Sequence, residues 1–432
     1  MRFRLNTISA LQFYQLVRYT TLIMVGVVFA KSELSQQAIG EYETFIFLAG
    51  AVSFFWLNGL IKALLPLSVD KKLGGSALFS SFILISIFSL LTGMLLFLLH
   101  PFISELLLNG REMPELSLLI VYLAVGVPAN MVEYFYLVRK KNKQLVVYAV
   151  VSFLVQFLLI IVPVLAGLPV DWALRGLVAS GLLRYLWLWG MFIGYREISF
   201  SWSFLKAHVH FGTPLVTAAF LSGSAQFVDG FIVTSRFDES TFAVFRYGAR
   251  ELPLAILLAN ALNSAMLPAF AVKEELTDNL LRLKKSVGRL MHFLFPLTGL
   301  LLLISHPVFP ILFNPAFEES ATIFNIYLLL VISRLLMPQT ILNGLKHTRP
   351  IVLASVLELL LNVLLSLLFV QVWGIAGIAF ATFVAYIFEK AYLVVMVKRK
   401  LDIGLSEYHP VMNYVWYSLG VIALFIFAET VF

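Results

Sequence analysis

Apolar residues along this chain gather in runs of bilayer-spanning length, about 20 residues each, separated by short polar interruptions. Thirteen such runs are predicted at 9–30, 43–69, 76–100, 116–138, 145–167, 172–195, 211–235, 241–271, 287–313, 320–344, 350–371, 373–397 and 412–430. The last is short and ends near the C-terminus. The connections leave no room for a soluble domain. The longest outer one, around 104–115, is about a dozen residues by the same segmentation. The longest inner one, 273–287, sets Leu276, Leu280, Leu281 and Leu283 among Glu275, Asp278, Arg282 and Lys285. It predicts an amphipathic helix lying on the membrane surface. The pattern predicts an all-α integral membrane protein.

Composition agrees. Of 432 residues, 60% are hydrophobic and 13% charged, with a mean hydropathy of +0.93, whereas a soluble domain carries about 25% charged residues. Cysteine is absent, so no thiolate metal site or disulfide framework is expected. The seven histidines form no metal-ligand spacing; His208 and His210 are read as interfacial, beside Trp202. The Met1-Arg-Phe-Arg start followed by an apolar run imitates a secretion signal. Without a clean small-residue cleavage site, it is read as a retained first span.

A net charge of +7 raises nucleic acid as a partner, but the placement of the charges excludes it. With a cytoplasmic N-terminus, 20 basic residues fall on the inner side: Arg2, Arg4, Lys71, Lys72, the 139–143 cluster, Arg196, Lys206, Lys273, 282–289, Lys346, Arg349 and 398–400. Only Lys31, Arg111 and Arg236 fall outside. That asymmetry is the positive-inside rule.

The halves echo each other. Lys141-Asn-Lys-Gln-Leu-Val-Val-Tyr-Ala aligns with Lys346-His-Thr-Arg-Pro-Ile-Val-Leu-Ala, Trp172-Ala-Leu-Arg-Gly with Trp373-Gly-Ile-Ala-Gly, and Leu-Leu-Pro66 with Met-Leu-Pro268. Six spans per copy return the chain to its starting side, so the copies are parallel repeats. The expected arrangement is two six-helix lobes, 1–200 and 201–400, around a central cleft, with 199–211 as linker and 401–432 as an extra helix.

Eight basic residues remain inside the spans: Arg18, Lys62, Arg175, Arg184, Arg246, Arg250, Arg334 and Lys390. Five acids join them: Glu133, Asp229, Glu251, Glu358 and Glu389. A charge at mid-membrane costs about 2.5–3.5 kcal/mol, so each needs a partner, water or a route to the interface. Lys62, Lys390, Glu389 and Glu133 fall close to the inner face, where snorkelling suffices. Arg175 sits at an outer helix end. Arg18 falls near mid-membrane, and Arg184 and Arg334 about 20 Å from the outer surface at 1.5 Å per residue. Arg246 and Arg250, four apart, are expected on one face of one helix. Guanidinium groups in a cleft attract phosphate; the competing reading ties Arg246 to Asp229. Asp229 and Glu358 are the candidates for a coupling proton or sodium ion. Pro128, Pro163, Pro214, Pro253, Pro296 and Pro338 are expected to bend or break spans.

Several motifs resemble a known family: Ile39-Gly-Glu-Tyr, Leu57-Asn-Gly-Leu, Gly212-Thr-Pro-Leu-Val, Phe227-Val-Asp-Gly-Phe-Ile-Val, Phe245-Arg-Tyr-Gly-Ala-Arg, Leu312-Phe-Asn-Pro-Ala-Phe and Trp373-Gly-Ile-Ala-Gly-Ile-Ala. Together they look like the polysaccharide-transporter branch of the multidrug/oligosaccharidyl-lipid/polysaccharide exporter superfamily, which includes flippases for O-antigen and capsule repeat units. The resemblance implies alternating access in a bacterial cytoplasmic membrane. The cargo it implies is an undecaprenyl-pyrophosphate-linked saccharide, with membrane lipids and polysaccharide polymerase or assembly proteins as partners. It implies no enzymatic step, no metal and no cofactor beyond coupling to H+ or Na+. By depth and helix it places Arg18, Arg246 and Arg250 at the pyrophosphate, with Lys62 closer to the inner face. A cation-coupled multidrug exporter of the same superfamily is the rival reading; a polytopic enzyme is disfavoured by loops too short to position reactants.

Overall fold

The computed structural model describes residues 7–69, 76–250, 253–267, 269–271 and 275–431, all helices and connections without a strand among them. Arg2, Arg4, Lys71, Lys72, Glu251, Pro268 and Lys273, which figure in the sequence reading, lie outside the described residues. The chain forms two compact units, Met1–Ala243 and Val244–Phe432.

In the first unit the apolar runs become α1 (Thr7–Lys31), α2 (Gln36–Val69), α3 (Ala77–Leu107), α4 (Leu116–Gly126), α5 (Met131–Val138), α6 (Asn142–Leu165) and α7 (Val170–Gly194). They are followed by α8 (Trp202–Gly223), α9 (Ala225–Arg236) and the start of α10 (Glu239–Gly248). Only helices can satisfy their own backbone groups in lipid, so a long apolar run has this one outcome. Leucines such as Leu98, 62% exposed on α3, face the acyl chains rather than a core. The predicted linker is short: α8 begins at Trp202, capped by the Ser201 hydroxyl, which accepts from Phe204 N. His208 therefore lies within a helix and is fully buried, contrary to its interfacial reading. Its Nε2 donates to Leu60 O (2.8 Å) and its Nδ1 accepts from Ser81 Oγ (3.1 Å). Two hydrogen bonds inside the bundle replace water. Span 211–235 is bent by 54° between α8 and α9.

The second unit contains α11 (Pro253–Met266), α12 (Leu276–Leu312), α13 (Glu319–Leu328), α14 (Leu330–Arg334), α15 (Pro338–Gly344), α16 (Arg349–Leu401), α17 (Leu405–Tyr408) and α18 (Val411–Val431). The expected surface helix at 273–287 is instead the first turns of the 37-residue α12. Its Leu280, Leu283 and Val287 are buried in the unit's core with Met291, Leu294 and Phe295. An apolar stripe binds whichever apolar surface is nearer, and here that is protein.

Helix α16 is assigned over 53 residues, but Trp373 and Gly374 are non-helical. Gly374 has φ 55° and ψ −137°, a conformation reserved for glycine. The chain folds back there, bringing Asn362 Nδ2 to Thr382 Oγ1 at 2.9 Å, so the run holds the two predicted spans 350–371 and 373–397 as an antiparallel pair. Each unit has a glycine packed tightly against a preceding helical segment. Gly176, four residues after Trp172, is so close to α6 that a Cβ would collide with the Leu159 carbonyl oxygen. A Cβ on Gly377, four residues after Trp373, would likewise collide with a backbone carbonyl oxygen, that of Phe369.

Nine helices among the described residues are long and apolar enough to cross a membrane, or eleven when each bent pair counts as one span. Helix α18 is one of the nine. It packs along α12 through His292–Tyr417 (2.7 Å between Nδ1 and the hydroxyl), Leu424 against Gly299, and His306–Glu429 (3.1 Å). Both series ascend, so the two helices run parallel.

Candidate functional site

The first unit gathers a polar cluster from four helices, three of them carrying charge. On α1, Tyr14 and Arg18 are one turn apart and share a face, and α1 packs along α6. Tyr14 stacks on Tyr148 of α6 at 6.3 Å between ring centroids and tilts against Phe153 at 5.3 Å. Pro128 interrupts the next span: it opens a 3-10 turn, Pro128–Asn130, between α4 and α5, because its ring removes an N–H from the helical ladder. The restarted α5 carries Glu133 and Tyr134. Glu133 is 4% exposed. Its carboxyl is in hydrogen-bonding reach of the Tyr134 and Tyr14 hydroxyls and in electrostatic reach of Arg18 and Arg184.

Arg184 comes from α7. It donates from Nη2 to Gln156 Oε1 of α6, and its guanidinium lies 5.2 Å from the Phe153 ring centroid. Arg18 is exposed on α1, so it can meet a ligand without moving a helix. Two polar atoms in this cluster, Glu133 Oε2 and Arg184 Nε, have no hydrogen-bond partner among the described residues. Two guanidiniums against one carboxylate give a formal charge of +1. Guanidinium does not deprotonate, so the excess must be met by water or an anion. A phosphate group suits it, since one guanidinium can donate two parallel hydrogen bonds to it.

Arg18 and Arg184, both anion candidates on sequence grounds, are thus brought together. Glu133 is a correction: it does not snorkel to the inner face but is buried, because the Pro128 break sets α5 as a separate short helix inside the unit. Tyr14, Tyr134 and Gln156 escaped the sequence reading. Gln156 is the sole amide in the apolar run 145–167, a signal that could have found it.

The second unit holds a different set. Lys390 Nζ lies 2.8 Å from Glu389 Oε2 and donates to Gln339 Oε1 at 2.9 Å, while Gln339 Nε2 donates to Glu389 Oε1 at 2.6 Å. Both charged residues were expected at the inner face, yet both are buried; a closed polar triangle substitutes for water. Arg334, at the end of α14, stacks 4.9 Å from the Tyr386 ring. It and Glu358 lie in electrostatic reach of Lys390. Two positive and two negative groups balance, so this set has no excess charge to offer an anion. Glu358 is buried one turn before Asn362 on α16, and Asn362 in turn accepts from Ser366 (3.2 Å).

Arg246 and Arg250 do not share a helix face. Helix α10 ends at Gly248, and Arg250 lies beyond it with its guanidinium 5.0 Å from the Tyr247 ring. Gly248 is packed where a Cβ would meet Ile323 and the Ser320 carbonyl, and α11 restarts at Pro253, an N-terminal helix residue by preference. Lys62 is exposed on α2, and Asp229 is buried on α9. Arg175 pairs with Asp171 at 2.9 Å, half-exposed at its helix end as expected. Among the described residues no group of His, Asp and Glu could hold a metal ion.

The profile of a family described as polysaccharide biosynthesis protein matches residues 11–322, well over half of the chain. A comparison with curated proteins finds no match. Among solved structures, the lipid II flippase MurJ in an inward closed conformation is similar at a TM-score of 0.70 and 16% identity, covering 97% of this chain and 93% of that one. An inward-facing multidrug resistance MATE transporter of the MOP superfamily follows at TM-score 0.62 and 14% identity, covering 97% and 99%. A MOP-superfamily transporter from Pyrococcus furiosus, described as having a binding pocket of reversed polarity, reaches 0.56 at 15% identity, covering 97% of each chain. The fold is that of the MOP-superfamily transporters.

Proposed function

This chain belongs to the polysaccharide biosynthesis protein family, and from that premise we propose that it is a flippase moving a lipid-diphosphate-linked oligosaccharide across the bacterial cytoplasmic membrane by alternating access. The observation that carries the reading is the arginine cluster of the first unit. Arg18 and Arg184 hold an uncompensated positive charge within a membrane span, with hydrogen-bonding capacity left over. A diphosphate headgroup supplies the missing charge and acceptors, while the attached isoprenoid stays in the surrounding lipid. Arg246 and Arg250, with Lys62 nearer the inner face, are further contacts for the anionic cargo. Asp229 and Glu358 are the carboxylates that would take a coupling proton or sodium ion.

On this reading residues 1–200 and 201–400 are the two six-helix lobes, 401–432 is an added helix, and the N-terminus is cytoplasmic. The protein would hydrolyse nothing; its work is a shift between inward- and outward-open populations. Polymerase or assembly proteins would receive the cargo on the outer side.

The test is replacement of Arg18, Arg184, Arg246 and Arg250 singly by alanine in a strain lacking its own flippase, with lipid-linked saccharide counted on the outer leaflet. Loss of translocation in Arg18→Ala and Arg184→Ala is expected. Unchanged translocation in both would sink the reading. The MATE-like fold makes a multidrug exporter the rival; loss of resistance to cationic dyes with saccharide export intact would favour it.

A further inference from the structure

Glu133 stands where an incoming anion would be repelled. The charged and titratable groups around it are Tyr14 and Arg18 on α1, Tyr122 on α4, its neighbour Tyr134 on α5, Tyr148 on α6 and Arg184 on α7. With Glu133 ionised the cluster carries +1, and a dianionic headgroup would turn it to −1 inside a low-dielectric bundle. With Glu133 protonated, the same headgroup leaves it neutral. An excess charge there costs several kcal/mol, so the neutral combination dominates.

We infer that Glu133 is the resident counter-ion of Arg18 and Arg184, and that loading an anionic headgroup onto these arginines requires Glu133 to take up one proton. The proposal rests on the flippase reading above and adds to it a proton-linked step at a residue outside the cargo contacts. The proton comes from bulk water, reached through the open side of Arg18. It has a place to go, because Glu133 Oε2 has no hydrogen-bond partner among the described residues. Once protonated, that oxygen no longer repels the headgroup and becomes a neutral donor within the cluster. In the unloaded state the ionised carboxyl has the Tyr134 and Tyr14 hydroxyls within reach and offsets the charge of one guanidinium. The cluster is thereby tolerable without cargo. Release on the far side returns the proton to water.

The experiment measures the affinity of the purified full-length protein in detergent for geranylgeranyl diphosphate at pH 6, 7 and 8, beside Glu133→Gln. The ionisation of the diphosphate is common to both and cancels in the ratio of their dissociation constants. One linked proton makes wild type lose affinity relative to Glu133→Gln by up to about tenfold per pH unit above the Glu133 midpoint. A ratio constant across pH 6–8 would overturn the inference while leaving the flippase reading intact. Absence of binding in both proteins would overturn both. Should Glu133→Gln fail to fold, Tyr134→Phe serves instead: removing a hydroxyl that favours the ionised carboxylate moves the pH dependence upward, and no movement counts against the inference.

Discussion

Replacing Lys390 by methionine separates a buried ion pair from a snorkelling one. The Lys390 and Glu389 side chains are 8% and 6% exposed, and the ammonium makes two contacts, to Glu389 at 2.8 Å and Gln339 at 2.9 Å. Methionine fills the volume but strands Glu389 with Gln339 as its remaining partner in the triangle. Breaking a buried pair by removing one member costs about 3–5 kcal/mol, because the surviving charge is uncompensated. Were Lys390 snorkelling to the interface, the cost would be about 0–1 kcal/mol. For a unit of 189 residues, 244–432, about 2–4 °C per kcal/mol places the expected loss of melting temperature on the order of 10 °C. Adding Glu389→Gln to Lys390→Met removes the stranded charge and keeps an amide for Gln339, so most of the loss should return. The assay is thermal unfolding of the detergent-purified protein for both single variants and the double. A loss of under about 2 °C in Lys390→Met, or a double variant no more stable than that single, would refute the argument.

Three further outcomes follow from particular contacts. Gly176→Ala and Gly377→Ala should each lower the yield of monodisperse protein on size-exclusion chromatography, because the new methyl meets a backbone carbonyl that cannot move aside; Gly190→Ala, with open space around it, should not. His409 is fully buried, donates from Nε2 to Leu335 O at 3.1 Å, and is held down to about 4 by that burial, against an ordinary value of 6.5. A depressed histidine favours the neutral form, so its stabilisation is present above pH 6.5 and is lost as pH falls toward 4. The loss is about 3 kcal/mol and would show as a falling melting temperature that His409→Gln lacks. The parallel run of α12 and α18 predicts that a reporter fused after residue 432 lies on the opposite side of the membrane from one in the connection before α12. Equal labelling of the two by an impermeant reagent would refute the pairing.

Much of the site was half-legible. Arg18 and Arg184 stood out because a guanidinium in an apolar run has no inexpensive resting place, and that holds in any fold. What they face was not legible. Glu133, Gln156 and Tyr14 lie far from one another in sequence, and their meeting depends on where Pro128 breaks a span and how α1 lies along α6. The Arg246–Arg250 pair does not share a helix face for a local reason: periodicity assumed a continuous helix, and α10 ends at Gly248.

By itself the sequence determined that this chain crosses a membrane many times. Hydropathy and backbone hydrogen bonding in lipid allow no other outcome. The distribution of lysine and arginine gives an expected orientation in the same one-dimensional way. Tertiary structure decided which buried charges are paired and which are left over. That depends on distances of a few ångströms between helices remote in the chain, which span length and periodicity do not encode. The feature on which the proposed function turns, two arginines in electrostatic reach of one carboxylate, exists only at that level.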